Sequence, residues 1–583
     1  MSTSTSSPHG SLNGAVGPLD EAGRLLHEDD PAAQLALAVC LLEEQLAPHG
    51  LADLAGLRVL TTDRAALADV VDVLTERLDA TGARPVVEVE ERPGLGVPGM
   101  LLALQPLLGT PAPTDAPTGT HTHEGRSMTT TPTHSADALR GLPDVHLPGD
   151  PGYDELRLPW NLAVDQRPAA VAVPRSVEQV VDVVRAAGAA GLRVAPQSTG
   201  HGAGPLAGVP MDDVVLLRLS ELTGVSVDAV DRTARVVGGT QWHEVVAAAA
   251  PYGLTALHGS APDVAVAGYL LGGGLSFYAR KHGLGSGSLR AVELVTADGT
   301  LLRADAHENA EVFWAVRGGG GSFGVATALE MDLLPVTDLV GGMLLWDRER
   351  APEVVPAWAA WTRDVPDTVT TSLRVMSFPP LPELPPFLSG RHLVIVDGAV
   401  LEDDDRASEL LAPLRALAPE MDTFARMPAA GLTAVHMDPP APVPAVSEHT
   451  VLSSLDDTAV DAFLAQVGPG TASGLMFAEL RQLGGALATP APGGGAVDHL
   501  PGAYAVFAIA PAPTPEAATA GLAAGERLVD ALSPWAQERR FLNFTDNGGR
   551  AASGFAPETW ERLRAVRDTV DPGRLFLANH EVG

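Results

Sequence analysis

Cysteine is almost absent from this chain of 583 residues, which contains only Cys40. A single thiol excludes an intramolecular disulfide framework, an iron–sulfur cluster and any metal site built from several cysteines. Three imidazoles, those of His121, His123 and His134, lie in a stretch rich in Thr and Pro and could in principle ligate a metal. Because a flexible polar segment rarely holds its ligands in a fixed geometry, we expect no metal site.

Basic residues are also scarce, since 38 Lys and Arg stand against 72 Asp and Glu and the formal net charge is −34. Nucleic acids and anionic membranes are bound by clustered positive charge, so we expect neither as a partner. No apolar run reaches membrane-spanning length, and the chain does not open with a basic and then apolar leader. The sequence therefore favours a cytoplasmic protein that acts on a small molecule, and it indicates no oligomeric state.

The length and the 45% hydrophobic content favour two or three domains. A linker rich in Thr, Pro and His, Gly109–Ser135, separates an N-terminal part from the rest. The elements predicted in the N-terminal part are the strand Leu57–Thr61, the helix Arg64–Leu78 and the strand Pro85–Val89. We therefore expect residues 1–127 to be an extension with a small α/β unit of unknown function. Because Met128 closely precedes the next folded part, these residues could equally be an upstream extension of the reading frame.

Regular α/β signals begin near residue 169. Ala170–Val173 is predicted as a strand, and Ser176 with Gln179 is predicted to form a capping box at the start of a helix that Gly191 ends. The next strand, Leu192–Ala195, leads into a glycine-rich loop. Ligand sites are common at the carboxyl ends of such strands, so this loop is a candidate site.

Further strands follow this loop along the chain. We expect Val214–Leu219 and Thr233–Val237 to continue the same sheet. Residues Glu293–Leu302 are predicted to form a hairpin with Asp298-Gly299 as its tight turn. No G-x-G-x-x-G segment follows a strand in the context that a Rossmann domain requires.

Three glycine-rich segments are the most informative part of the sequence. They read QSTGHGAG at 197–204, GYLLGGGL at 268–275 and RGGGGSFG at 317–324. Glycine permits positive φ and close approach of the backbone to another molecule, so the first segment could bring His201 within bonding distance of a flat cofactor. In isolation, each segment would more often be an ordinary turn.

The order and neighbours of these segments resemble the FAD-linked oxidases of the vanillyl-alcohol oxidase superfamily, in particular the berberine-bridge-enzyme-like branch. The resemblance covers roughly 150 to 340 and resumes in FLNFTD at 541–546 and DPGRLF at 571–576. It implies an α+β protein with the two-subdomain FAD-binding fold of that superfamily and an inserted α/β substrate domain. The implied boundaries are 150–340 for the FAD-binding domain, 341–537 for the substrate domain and 538–583 for a segment that returns to the FAD-binding domain.

The resemblance also implies that His201 is bonded covalently to the 8α-methyl group of FAD. An imidazole nitrogen is nucleophilic at neutral pH, which suits this bond. The residues that the resemblance assigns to FAD binding are Gln197, Ser198, Thr199, Gly200, His201, Gly202, Ala203, Gly259, Val264, Gly268, Gly272, Gly273, Gly274, Gly321, Gly324, Val325 and Asn543.

Several positions depart from the family pattern. Ala261 stands where many relatives have a second flavin-linking Cys, so the chain is similar to singly linked bacterial members such as the 6-hydroxynicotine oxidases. Val264 matches the oxygen-access position, where Val is the pattern of oxidases, although ordinary core packing explains it equally well. The catalytic Tyr of the family's Y-x-N-Y motif is missing, because Phe541 and Phe544 replace both aromatic positions and only Asn543 remains polar.

Other residues must then supply the chemistry. Tyr269 matches a family His near the flavin and could act as a base or a hydrogen-bond donor if its surroundings tune its pKa, or could simply be packed in the core. Glu479 and Arg481 alternate onto one face of a predicted strand, and Tyr504 lies in the following strand. We take Tyr269, Tyr504 and Glu479 as catalytic candidates, while an ion pair within the domain would explain Glu479 and Arg481 as well.

These features predict a flavoprotein oxidase that removes a hydride from a C–H beside oxygen or nitrogen of a small organic substrate, and that passes the electrons to molecular oxygen to give hydrogen peroxide. The cofactor would carry the redox chemistry, and the protein would orient the reactants. The alternatives are a dehydrogenase with another acceptor and a flavin-holding or ligand-binding protein that has lost its catalytic residues.

Overall fold

The computed structural model describes residues 136–583, except 381, 383 and 547, together with the backbone of three earlier strands. The chain divides into two compact units, Met1–Met128 and Thr129–Gly583. No helix among the described residues is long and apolar enough to cross a bilayer.

The described strands of the first unit form one small sheet. They are β1 (Gly56–Thr61), β2 (Val86–Glu91) and β3 (Leu102–Leu107), in the order β2-β1-β3. Both predicted strands of this region are present as β1 and β2, and these two pair in parallel while β3 pairs antiparallel to β1. The predicted helix Arg64–Leu78 and the linker lie outside the described residues.

The second unit contains seventeen strands and eleven α-helices among its described residues. The strands are β4 (Val145–His146), β5 (Ala170–Ala172), β6 (Arg193–Gln197), β7 (Val214–Arg218), β8 (Val225–Asp228), β9 (Thr233–Val237), β10 (Leu289–Val295), β11 (Leu301–Asp305), β12 (Val325–Asp332), β13 (Asp338–Asp347), β14 (Val369–Ser377), β15 (His392–Val400), β16 (Met421–Asp422), β17 (Ala425–Pro428), β18 (Ala445–Leu452), β19 (Phe477–Gln482) and β20 (Tyr504–Pro511). The helices are α1 (Tyr153–Leu156), α2 (Val177–Ala189), α3 (Trp242–Ala249), α4 (Val266–Leu271), α5 (Ala279–His282), α6 (Ala310–Val316), α7 (Ala351–Asp364), α8 (Asp404–Arg415), α9 (Asp457–Val467), α10 (Pro515–Ala531) and α11 (Pro557–Val570).

The first sheet of this unit has the order β4-β5-β7-β6, with β5, β7 and β6 parallel. Helix α2 packs on it through valines, and its first turn is capped by Ser176, whose hydroxyl accepts a hydrogen bond from the Gln179 N–H. The capping box is only half formed, because the Gln179 side chain accepts from the N–H of Arg175 instead. Gly191, with φ +71°, ends the helix as predicted.

The second sheet is antiparallel and has the order β11-β10-β12-β9-β8. The prediction that Thr233–Val237 continues the first sheet is therefore wrong, since β9 pairs with β12 and β8. A strand pattern reports burial of one face but does not identify the neighbouring strand. Buried Ala234 and Val236 of β9 pack in the core beneath this second sheet.

The predicted hairpin at β10 and β11 is present, but its turn is displaced by one residue. The Gly299 N–H donates to the Thr296 carbonyl at 2.8 Å, so Ala297 and Asp298 are the central residues. A two-residue turn centred on Asp298-Gly299 would need positive φ at both, and only Gly299 has it, with φ +75°.

The third sheet has the order β16-β13-β15-β14-β19-β20-β18, with β17 also paired to β13, and its pairings are antiparallel. Helices α7 to α10 cover one face and form the largest core with it. The opposite face packs against Leu275, at the end of the second glycine-rich segment, and against Phe277, which follows it. Arg280 of α5, the helix that follows the second glycine-rich segment, joins this part of the chain to the third sheet. Its guanidinium donates to the backbone carbonyls of Val369, at the start of β14, and Leu483, directly after β19.

The last segment of the chain lies beside the first sheet. Val194 of β6 donates to the Leu575 carbonyl, and Leu577 donates to the Val194 carbonyl, both at about the length of an ordinary hydrogen bond. Fully buried Arg567 of α11 donates to the carbonyls of Phe576 and Val582, which holds this segment in place.

We predict that a chain beginning at Met128 folds without the first unit, because the division between the two compact units falls at this residue. Its melting temperature and flavin content should equal those of the full chain. Thermal unfolding followed by circular dichroism and an absorbance spectrum of the purified protein would check this. A large loss of either would show that the second unit needs the first.

Candidate functional site

The first glycine-rich segment follows β6 directly and holds His201 between three side chains. The imidazole stacks on Trp160 with 4.2 Å between ring centroids and 19° between planes. Its Nδ1 lies 3.0 Å from the Thr199 hydroxyl, and its Nε2 lies 3.4 Å from a carboxylate oxygen of Asp263. Neither that Nε2 nor that Asp263 oxygen has a hydrogen-bond partner among the described residues, although both atoms are buried.

Trp160 and Asp263 were not identified from the sequence. They are 103 residues apart, and the Trp160 indole N–H donates to the Asp263 carboxylate at 2.7 Å. The backbone N–H of Trp160 donates to the Thr199 carbonyl at 2.9 Å, which fixes the position of Trp160. Asp263 lies in the segment before α4, whose backbone bonds to the start of α3. An aspartate where the family pattern has a neutral residue was the one available signal.

Burial raises the pKa of Asp263, but the opposing effect of the His201 ring and the Trp160 N–H is larger, so the net shift is downward. The carboxyl group is therefore ionised near neutral pH. It can only accept hydrogen bonds in that state.

Backbone approach at this loop depends on glycine. Gly200 has φ +84°, and a Cβ there would lie 2.7 Å from Pro159. A Cβ on Gly204 would lie 2.4 Å from a carboxyl oxygen of Asp546. Burial raises the pKa of Asp546 to about 6, the Ser447 hydroxyl opposes the rise, and the Glu448 carboxylate adds to it.

The remaining predicted residues of this loop tie it to its surroundings. The Gln197 side chain exchanges hydrogen bonds with that of Gln166, and the Ser198 hydroxyl donates to the Gly238 carbonyl. The Gly202 carbonyl accepts from the Asn579 amide. Ala203 is buried.

The second glycine-rich segment begins as α4 and continues into three glycines, of which Gly272 and Gly273 contact the C-terminal part of the chain. A Cβ on Gly272 would lie 1.6 Å from the side-chain oxygen of Asn543, and one on Gly273 would lie 3.1 Å from Phe541. The Asn543 amide donates to the Tyr269 carbonyl at 3.0 Å. The structure thus brings Asn543 to the glycine turn. Gly268 faces open space, with no atom within 4 Å of a Cβ built there.

Tyr269 lies inside this segment with its ring enclosed by glycines. A Cβ on Gly274 would lie 2.4 Å from the ring, and one on Gly259 would lie 3.0 Å from it. The hydroxyl is buried and has no hydrogen-bond partner among the described residues. Burial raises the pKa of Tyr269 far above its ordinary value, against a weaker opposing effect of Arg481. Of the two roles predicted for Tyr269, hydrogen-bond donor fits this geometry and base does not.

The third segment packs against the end of α4. The N–H groups of Gly318 and Gly320 both donate to the Leu271 carbonyl at 3.0 Å. Gly321 lies near Ala578, and a Cβ on Gly324 would lie 2.8 Å from the Val295 carbonyl oxygen. Val325 begins β12. Val264 lies partly buried before α4, where its carbonyl accepts from the Trp242 N–H and its side chain packs on the core of the second sheet.

Five polar side chains form a cluster on the face of the third sheet that the helices do not cover. Ser372 lies opposite both Asp397 and Arg481 in the register, and Arg374 lies opposite Glu479. Directly opposed residues share a face, so all five side chains project to the same side. Each of them is buried.

Asp397 binds three other side chains, two of them from this cluster. Its carboxylate accepts from the Ser372 hydroxyl at 2.6 Å, from the Arg374 guanidinium and, at 2.9 Å, from Nδ1 of His436. Burial raises the pKa of Asp397, but the charge of Arg374 and the hydrogen bonds from His436 and Ser372 more than offset this and lower it well below its ordinary value. His436 is itself buried, and no described residue bonds to its Nε2. Sequence reasoning missed this Asp–His pair, because no local pattern marks it.

Glu479 and Arg481 share a face as predicted, and they form the ion pair that was the alternative explanation, with 2.8 Å between the Arg481 Nε and Glu479. The Arg481 guanidinium also lies 5.6 Å from the centre of the Phe277 ring and 5.3 Å from that of Phe544. Phe277 follows the second glycine-rich segment, so Arg481 lies next to the end of that segment.

Tyr504 does not reach this site. In the register it pairs with Gln482, one residue past Arg481, and therefore projects to the helix-covered face. Its hydroxyl lies 2.6 Å from that of Thr362 in α7, and the side chain belongs to the core with the helices. We exclude Tyr504 from the catalytic candidates.

Parts of this chain are similar in sequence to known proteins. Residues 168–305 match the family model of the FAD binding domain. The chain is 34% identical over 204 residues to (R)-6-hydroxynicotine oxidase of Paenarthrobacter nicotinovorans, which is 35% of this chain and 44% of that protein. It is 31% identical over 237 residues to glucooligosaccharide oxidase of Sarocladium strictum, which is 40% of this chain and 47% of that protein. The chain thus spans about half the length of the curated relatives it matches.

The fold is shared over a longer stretch. The BBE-like 1 structure of Physcomitrella patens superimposes with a TM-score of 0.66 and 21% identity, over 77% of this chain and 98% of that chain. The predicted resemblance to FAD-linked oxidases and the predicted α+β fold of the berberine-bridge-enzyme-like type are therefore confirmed. The chain carries an FAD-binding domain.

The residues present fit FAD. Three glycine turns provide backbone without side chains, and the buried His201 Nε2 and Tyr269 hydroxyl are polar atoms without partners among the described residues. His201, the glycines of the three segments and Asn543 would hold the cofactor. No three His, Cys, Asp or Glu side chains in the described part of the chain are grouped so that they could hold a metal.

Gly272→Ala should disrupt the second glycine turn, because its Cβ would overlap the Asn543 oxygen. We expect roughly 1–3 kcal/mol of destabilisation, typical of overpacking, together with loss of bound flavin. Gly141→Ala is the matched control, since Gly141 is exposed, lies outside the three glycine-rich segments and has nothing within 4 Å of its Cβ. Melting temperature and flavin absorbance check both. Equal stability of the two variants would contradict the close contact with Asn543.

Proposed function

We propose that this chain is an FAD-dependent oxidase that removes a hydride from a C–H beside oxygen or nitrogen of a small organic substrate. The observation that carries the proposal is the placement of His201 at the carboxyl end of β6, on a glycine-flanked loop within the residues that match the FAD binding domain. The relatives that are oxidases of 6-hydroxynicotine and of glucooligosaccharides support this class of reaction. FAD, when bound, accepts the hydride and delivers its electrons to molecular oxygen, which yields hydrogen peroxide.

The same proposal includes a covalent bond between His201 and FAD. A nucleophilic imidazole on a glycine-flanked loop, with Ala261 at the position of a possible second link, supports a single attachment. Val264, which packs on the core of the second sheet, supports oxygen as the electron acceptor only through its match to the family's oxygen-access position.

Wild-type protein that is denatured and precipitated with acid should remain yellow. His201→Ala should transfer all the flavin to the supernatant, because the bond is then absent. Absorbance of pellet and supernatant measures this, and His243→Ala, a change of an exposed histidine outside the loop, should leave the pellet yellow. Flavin found entirely in the wild-type supernatant would refute the covalent link.

The proton acceptor in this proposal is His436. A hydrogen bond from Nδ1–H to ionised Asp397 leaves the lone pair of Nε2 free to receive the O–H or N–H proton of the substrate. Arg374 and Ser372 hold Asp397 and so fix the ring. Glu479 is engaged by Arg481, which leaves it to shape the pocket and orient the substrate. The Tyr269 hydroxyl would donate a hydrogen bond.

The substrate in this proposal is a small polar molecule with a flat or ring-shaped part. Phe277 and Phe544 both lie near the Arg481 guanidinium, and Phe507 stacks on Phe544 at 4.7 Å between centroids. Carboxylates, guanidinium groups and aromatic rings are thus adjacent on one face. Such a surface suits a hydroxylated ring, which is the chemistry shared by the two named relatives' substrates.

His436→Ala should slow anaerobic reduction of the flavin by about 10²–10⁴-fold, the range for loss of a general base. Added imidazole should restore part of the rate. Stopped-flow bleaching with (R)-6-hydroxynicotine and a glucooligosaccharide as probes measures it, and His392→Ala, at the exposed start of β15, should leave the rate unchanged. Full activity of His436→Ala would assign proton removal to another group.

A further inference from the structure

His201 is enclosed by side chains that differ in what they can do to its ring. Trp160 covers one face, and Thr199 contacts Nδ1. Asp263 alone among the contacts described carries a charge, and it faces Nε2 at 3.4 Å. The Asp263 carboxylate is also held from its other oxygen by the Trp160 N–H at 2.7 Å, so its position does not depend on His201.

This arrangement selects one tautomer of the imidazole. The ionised carboxylate has no hydrogen of its own, and its negative charge lies 3.4 Å from Nε2 without a formed hydrogen bond. This charge attracts a hydrogen on Nε2, so it stabilises the neutral ring in that tautomer. The lone pair then lies on Nδ1, where the Thr199 hydroxyl can donate to it. A neutral imidazole with this lone pair is a nucleophile, whereas a protonated one is not.

Backbone hydrogen bonds on both sides of Asp263 fix the segment that carries its carboxylate. The segment that carries it is bonded to α3, through the Trp242 N–H to the Val264 carbonyl and the His243 N–H to the Pro262 carbonyl. The backbone N–H of Trp160 donates to the carbonyl of Thr199, which belongs to the loop that carries His201. Trp160 thus links the two groups, because its backbone bonds to the His201 loop and its indole N–H bonds to the Asp263 carboxylate.

We propose that Asp263 is the positioning residue that activates His201 for attachment of FAD, and that it takes up the ring proton as the bond forms. This inference rests on the proposed covalent link. It assigns a role to a carboxylate that neither substrate oxidation nor the glycine turns require.

A bond forms between Nδ1 of His201 and the 8α carbon of FAD, while one C–H bond of the 8α-methyl group and the Nε2–H bond of His201 break. The proton from Nε2 goes to Asp263, and the electron pair from the 8α carbon reduces the flavin ring system. Molecular oxygen then takes two electrons and the two protons, which gives hydrogen peroxide and restores the oxidised cofactor.

The test compares Asp263→Asn with wild-type full-length protein. Both are produced in a riboflavin-requiring host on limiting flavin and then mixed with FAD in air, and flavin that stays with the acid-precipitated protein is measured over time. We expect attachment about 10²-fold slower in the variant, as for loss of a general base, while noncovalent binding of FAD remains. Raising the pH should speed attachment in Asp263→Asn, because hydroxide replaces the missing acceptor.

Further variants separate activation from folding. Asp263→Glu keeps the carboxylate and should recover much of the rate, and Trp160→Phe keeps the stacked ring but removes the hydrogen bond, so it should give an intermediate rate. Asp332→Asn, the same change in an exposed ion pair on β12, should match wild type. If Asp263→Asn does not fold, Asp263→Glu and Trp160→Phe still decide the question.

Two outcomes would overturn the inference in different ways. Equal rates for wild type and Asp263→Asn would show that Asp263 has no part in attachment, while the covalent link itself would stand. Wild-type protein that binds FAD but never retains it after acid precipitation would refute the proposed link and this inference together.

Discussion

Close contact between the second glycine turn and the C-terminal segment is the constraint on which the site depends. The Asn543 side chain lies where a Cβ of Gly272 would be, and it bonds to the Tyr269 carbonyl from a position 274 residues later in the chain. Any side chain at Gly272 would push these segments apart. Because Phe541 and Phe544 flank Asn543, this contact also sets the aromatic wall against which Arg481 packs.

Buried charge imposes a second constraint, on the third sheet. An isolated carboxylate at the position of Asp397 would be strongly destabilising, and the structure compensates it with a guanidinium, a hydroxyl and an imidazole. The compensation is a consequence of register, since Ser372 lies directly opposite Asp397 and Arg374 is two residues along the same face. The same groups that stabilise the carboxylate therefore orient His436.

Much of the fold followed from local patterns. The valine face of α2, its end at Gly191 and the strand before His201 were predicted because capping, amphipathic spacing and glycine conformation act within a few residues. The partner of β9 was predicted wrongly, because two strands of similar composition can join different sheets. Tyr504 was misassigned for a related reason: alternation orders residues within one strand, but only the register with β19 shows which face the next strand presents.

The sequence by itself determined which reactive side chains the chain has, since a histidine between glycines, one cysteine in the whole chain and two phenylalanines in place of tyrosines are properties of the residues themselves. Tertiary structure decided which side chains meet. Asp263 meets Trp160 across 103 residues, and His436 meets Asp397 across 39. Contacts over such separations depend on how sheets and loops pack, and the free energy that selects them comes from burial and charge compensation in the folded whole.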